Sequence, residues 1–199
     1  MHLLRKCPCP VWLVNPKAQQ KYQRILAAID VYDDFQPNES ETNYLLNLQI
    51  VEMASSLALS EFAELHIVNA WETMGESVIR SAPLGWREKD VITYIDEVRQ
   101  QHRQKMNSLM NKVMIKLGQN ALDYLKPQLH LQKSSPRREI SALAIKIKAD
   151  LVVMGTVART GISGFFMGNT AETIINQLDC SILAIKPQGL ETPVTLTDY

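Results

Sequence analysis

The chain has 199 residues, room for one domain with appendages or two very small ones. Hydrophobic residues make up 46% and charged residues 21%, the balance of a protein with a real core, while Lys+Arg and Asp+Glu both number 21, so no charge bias directs the chain to nucleic acid or a membrane surface. No apolar run approaches the ~20 residues that span a bilayer, and the first residues lack the apolar stretch of a secretory signal.

Three cysteines, Cys7, Cys9 and Cys180, show neither C-x-x-C nor zinc-ligand spacing. They read as small buried residues in a reducing, cytoplasmic compartment.

The first element, residues 7–16 (C-P-C-P-V-W-L-V-N-P), has the look of a closing strand although it opens the chain. Arg24 to Val31 (R-I-L-A-A-I-D-V) is a compact apolar run with Asp30 near its end, as suits a buried strand. Residues 32–40 are polar, with Pro37 and Asn38, and read as a loop. From Thr42 to Leu59 the apolar residues recur near helical spacing. Leu65 to Trp71 is a second strand, and residues 72–88, with Gly75, Pro83 and Gly85, form an irregular link flanked by Trp71 and Trp86.

Asp90 to Leu117 is a long helix whose Val91, Tyr94, Ile95, Val98, Met106, Leu109, Met110, Val113, Met114 and Leu117 share one face, with Gly118 as its C-cap. The methionines serve as adaptable core filler. Gln128 to Gln132 is a third strand. Ser135 caps, and Pro136 begins, a helix that runs through Lys148. Asp150 to Gly155 (D-L-V-V-M-G) is apolar on both faces, as a central parallel strand must be. Residues 156–167 form a glycine-rich loop, Gly168 to Leu178 the last helix, and Ser181 to Ile185 the fifth strand. Residues 188–199 have no periodicity and read as a mobile tail.

Strands alternating with helices specify an α/β fold, a five-stranded parallel sheet with helices on both faces, over residues 23–187. The opening stretch then explains itself. Cys9-Pro10-Val11-Trp12-Leu13-Val14-Asn15-Pro16 aligns with Cys180-Ser181-Ile182-Leu183-Ala184-Ile185-Lys186-Pro187, and helix-end remnants, Leu3–Lys6 and Ile175–Leu178, precede both. On this reading residues 1–16 are the terminal strand of a preceding copy that is mostly absent, 17–187 are the domain and 188–199 the tail. A strand without its sheet must find an edge, on this domain or on another copy of the chain.

The stretch Leu151 to Glu172 (L-V-V-M-G-T-V-A-R-T-G-I-S-G-F-F-M-G-N-T-A-E) carries the chemistry. A buried strand ends at Gly155, a loop of small residues follows, and Gly168-Asn169-Thr170 opens a helix. Glycine lets backbone approach a ligand, and a helix N-terminus offers unsatisfied N–H groups to an anion; Arg159 adds a charge. This stretch resembles the universal stress protein family, whose nucleotide-binding members carry G-x2-G-x9-G-[S/T] here. Leu26 to Asp30, Leu65 to Val68 and Pro136 to Gly155 are similar to further family segments. The repeated terminal strand and Thr192-Pro193-Val194 resemble its tandem type.

The resemblance implies a Rossmann-like fold of the adenine nucleotide alpha hydrolase kind, and a stress-response protein forming homodimers or tandem pairs through the last strand. It implies ATP or a related adenine nucleotide, with Mg²⁺ if bound, at Ala28, Asp30, Ile67, Val68, Met154, Gly155, Ala158, Arg159, Gly168, Asn169 and Thr170. Asp30 would lie near the ribose or phosphates, Ile67 or Val68 against the base, Met154-Gly155 under the sugar, and Gly168 to Thr170 along the phosphates. Two positions depart: Ala158 stands for the second motif glycine, and Asn169 for the Ser/Thr after the third.

There is no G-x-G-x-x-G after the first strand, no G-x-x-x-x-G-K-[ST] and no nucleophile–base motif, so nothing proposes a turnover catalyst. A phospho-receiver domain fails because the third strand runs into Gln132-Lys133-Ser134-Ser135 rather than a phosphoacceptor Asp. His66 reads as a bonded core histidine, His2, His102 and His130 lack ligand spacing, and Lys133, Arg137 and Arg138 read as solvated.

Three functions are open. The first is a non-enzymatic regulator that binds adenine nucleotide. The second is a module that has lost the nucleotide and takes an apolar or acyl metabolite or a protein partner, suggested by Ala158, Phe165-Phe166-Met167 and the Trp71–Trp86 link. The third is a weak ATPase, for which Asp30 is the candidate carboxylate.

Overall fold

The computed structural model describes residues 4, 6–17, 21–31, 37–73, 87–156 and 167–189. The strands are β1 (Val11–Leu13), β2 (Arg24–Ile29), β3 (Glu64–Trp71), β4 (Gln128–Lys133), β5 (Leu151–Gly155) and β6 (Ser181–Ile185). The helices are α1 (Pro37–Glu61), α2 (Glu88–Leu117), α3 (Gln119–Leu125), α4 (Pro136–Ile147) and α5 (Asn169–Gln177). One sheet holds the strands in the order β1-β6-β5-β2-β3-β4. β2 to β6 pair in parallel, and β1 joins antiparallel to β6. The expected five-stranded parallel sheet is therefore present, with a sixth strand added at its edge.

Side chains alternate across the strands, and each face is buried by its own helices. Ile25, Ala27, Ile67, Leu151 and Val153 pack with Ile50, Val51 and Ala54 of α1 and with Met106, Met110 and Met114 of α2. Leu26, Ala28, Val68, Val152 and Met154 pack with Ile140, Leu143 and Ala144 of α4 and with Ala171 and Ile174 of α5. The methionines of α2 are core filler. No helix among the described residues is long and apolar enough to cross a membrane.

Several expectations are corrected. α1 begins at Pro37, so residues 37–40 are helical rather than loop; proline suits a first turn, where its missing N–H costs nothing. Gly118 ends α2 with φ of 90° and its N–H bonded to Met114 O, but a short helix, α3, follows that periodicity did not suggest. Ser135 precedes α4 without a side-chain cap; its carbonyl accepts instead, from the N–H groups of Arg138 and Glu139. The cysteines are not uniformly buried: Cys9 is exposed, and Cys7 and Cys180 are half-buried. Met167 is buried in the α4/α5 core. Most of the 72–88 link, the 156–167 loop and the tail lie outside the described residues.

The stray strand uses its own domain's edge. Val11 pairs with Ala184, Trp12 with Leu183 and Leu13 with Ile182. In the repeat alignment these three residues correspond to Ile182, Leu183 and Ala184. Trp12 thus faces its own counterpart while the flanking pairs exchange, the register of a local two-fold axis. Ser181 Oγ accepts from Asn15 N–H at 3.1 Å, Asn15 Nδ2 donates to Asp179 O, and Trp12 stacks on Tyr22 with ring centroids 5.9 Å apart.

Candidate functional site

The order of the strands creates the site. The chain runs from β2 outward through β3 and β4, then crosses to the other side of β2 to form β5 and β6. β2 leads to α1 on one face and β5 leads to α5 on the other, so the carboxyl ends of β2 and β5 form a topological switch point. Ligands of open parallel sheets bind at such a switch point.

On the β2 side, asparagines fix the backbone. Asp30 N–H donates to Asn47 Oδ1 at 2.8 Å, and Asp30 O accepts from Asn47 Nδ2 at 2.6 Å and Asn43 Nδ2 at 2.9 Å. Asn69 of β3, fully buried, donates to Ile29 O at 3.2 Å and meets His102 Nδ1 through its Oδ1 at 3.0 Å. These contacts satisfy polar groups where the ladder of β2 ends, as burial demands. Trp71 is buried and stacks on His102 at 5.4 Å, and so covers the sheet.

On the β5 side, Gly155 faces α1. A Cβ there would stand 2.9 Å from Leu46 Cδ2 and 3.6 Å from Ile50 Cδ1, so glycine admits the close approach of α1. Thr156 follows, fully buried. Its carbonyl accepts from Gly168 N–H at 2.9 Å, while its hydroxyl has no hydrogen-bond partner among the described residues. A buried hydroxyl left unpaired costs about 1–3 kcal/mol. Among the described residues no side chain caps α5 at Gly168. Arg137, at the start of α4, brings its Nε to 3.4 Å from Thr170 Oγ1. A cation beside a helix N-terminus is unfavourable unless an anion joins them. Glu172 supplies one carboxylate in that first turn.

The predicted residues divide by face. Ala28 is in register with both Val68 and Met154, and the three form a buried row on the α4/α5 side. Ile67 is fully buried on the opposite side, in register with Ala27. A ligand on one face therefore meets Val68 or Ile67, not both. Asp30, Gly155, Gly168, Asn169 and Thr170 all sit at the carboxyl edge. Ala158 and Arg159 lie outside the described residues. Sequence reasoning missed Asn43, Asn47, Asn69, Thr156 and Arg137. Asparagines four apart on an apolar helix, and one within an apolar strand, were the available signal for three of them.

Comparison with known proteins fits this geometry. Residues 21–186 match the model of the universal stress protein family. Universal stress protein E of Escherichia coli (strain K12) is 35% identical over 197 residues, 99% of this chain and 57% of that protein. The chain thus spans about half the length of the curated relatives it matches. A functionally unknown protein from Pseudomonas aeruginosa PAO1, seen by crystallography, shares the fold with a TM-score of 0.64 at 27% identity, over 94% of this chain and 55% of that one. A universal stress protein crystallised in complex with cAMP shares it with a TM-score of 0.51 at 18% identity, over 85% of this chain and 100% of that one. The chain belongs to the universal stress protein family.

Proposed function

We propose that the chain is a non-enzymatic, cytoplasmic regulator of the stress response whose switch point takes an adenine nucleotide, ATP or a relative, by its phosphates. The observation that carries this reading is the buried hydroxyl of Thr156, without a hydrogen-bond partner among the described residues, beside Gly168 at the start of α5, where no described side chain caps the helix. An oxygen-rich anion satisfies both the hydroxyl and the open N–H groups, and Arg137 adds a compensating cation. The structural relative bound to cAMP supports the ligand class. Among the described residues no three His, Cys, Asp or Glu side chains converge on a metal site. A Mg²⁺ accompanying the nucleotide would rest mainly on phosphate oxygens, with Asp30 the carboxylate at the switch point.

Titration calorimetry with ATP and Mg²⁺, and with AMP, tests the proposal. Saturable binding is expected, weakened about fivefold to tenfold by Thr156→Val, the loss of one hydrogen bond worth about 1 kcal/mol. No heat at millimolar nucleotide removes the reading. Turnover is expected to be absent, in the parent and in Asp30→Asn alike. The alternative, an apolar or acyl ligand or a protein partner, loses one of its motives because Met167 is buried. Residues 1–16 act, on this reading, as the terminal strand of a preceding copy, giving a tandem pair about the two-fold register of β1 and β6.

A further inference from the structure

We propose that Cys7 and Cys9 form a reversible dithiol–disulfide site, oxidised by peroxides, at the carboxyl edge of the sheet. The two sulfurs lie 2.9 Å apart across one intervening residue, Pro8. Proline locks φ near −65°, which narrows the conformations of this short span and holds the thiols together. Cys9 is exposed, so a small oxidant reaches the pair from solvent. Because β1 runs antiparallel to β6, the residues before Val11 pass beyond Ala184, toward Lys186. Lys186 is buried and its Nζ donates to Leu4 O. The pair therefore sits beside a buried cation, the setting of a reactive cysteine.

The three cysteines take different roles. The Cys9 thiol donating to Cys7, helped by Lys186, holds Cys7 below the ordinary thiol range. The same contact pushes Cys9 up. Burial pushes Cys180 up to about 11 and leaves it inert. Cys7 is the attacking thiolate, Cys9 the resolving thiol and Cys180 a bystander.

The Cys7 thiolate attacks one oxygen of hydrogen peroxide and breaks the O–O bond, giving a Cys7 sulfenic acid and hydroxide, which takes up the thiol's released proton as water. Cys9 sulfur then attacks the sulfenic sulfur; the S–S bond forms, the S–O bond breaks, and hydroxide leaves with the Cys9 proton as water. Two thiols give up two electrons, and one peroxide becomes two waters. A thiol of the glutathione class reopens the bond by exchange.

The experiment treats the full, reduced chain with hydrogen peroxide, quenches with a maleimide and reads intact mass and peptide maps. The expected product has lost two hydrogens, carries a Cys7–Cys9 bond, keeps Cys180 alkylable after unfolding and recovers all three thiols with dithiothreitol. Cys9→Ser should stop at a Cys7 sulfenic acid trapped by dimedone, and Cys7→Ser should slow thiol loss about tenfold or more. Circular dichroism confirms that both variants fold. A disulfide through Cys180, a bond between chains, a sulfinic Cys7 beside an intact Cys9, unchanged thiols, or a Cys7→Ser variant as fast as the parent overturns the proposal.

Discussion

Gly155 shows how one missing methyl positions a site. The motif suggests that this glycine serves a ligand, yet its Cα hydrogen faces Leu46 of α1 at a separation too short for a Cβ. Gly155→Ala is therefore expected to destabilise the fold by about 1–3 kcal/mol through overpacking, toward the lower figure because the obstacle is the end of a flexible side chain. Leu46→Ala frees that space, so the double variant should cost about 1 kcal/mol less than the sum of the singles, measured by urea unfolding. Additive costs would show that the two residues do not press on each other. Asn47 works in the same place by another means. It is buried, and it closes both backbone groups of Asp30, so the end of β2 is held by a side chain outside any nucleotide motif.

At the scale of elements, β3 and β4 bring together two histidines that the sequence separates by 64 positions. His66 Nδ1 and His130 Nε2 are 3.0 Å apart and the rings stack at 5.3 Å. Glu64 lies 3.6 Å from His66 Nε2, and Arg24 and Lys146 are the neighbouring cations. Burial pushes both imidazoles below their ordinary value; the neighbouring imidazole and Lys146 add to the effect at His130, and Glu64 opposes it at His66. Unfolded imidazoles take up protons near pH 6.5, while the folded ones resist until the pH is lower. The unfolded chain then binds more protons in that window, so stability is full above about pH 6.5 and is lost as the pH falls below it. Urea midpoints at pH 7.5, 6 and 5 should drop for the parent and drop less for His130→Gln. Equal slopes would mean that the pair does not titrate on unfolding.

For the whole molecule, the decisive feature is β1. It covers the outer edge of β6 and pairs a row of backbone groups that an edge strand would leave open. Removing residues 1–16 is expected to open that edge and double the mass seen by light scattering at micromolar concentration; an unchanged mass would show that β6 is not an association surface. The sequence by itself determined the α/β class, the strand at the start of the chain and the strand and helix succession apart from α3, because hydrophobic periodicity is a local signal. It also carried the family, through the spacing of Gly155 and Gly168. The tertiary structure alone decided that β1 pairs with β6 of its own chain, that Asn43, Asn47 and Asn69 hold the end of β2, and that Thr156 is a buried hydroxyl without a partner among the described residues. Only the fold could also pair His66 with His130 and set Lys186 beside the cysteines. These are contacts between residues distant in the chain, and packing rather than local propensity selects them.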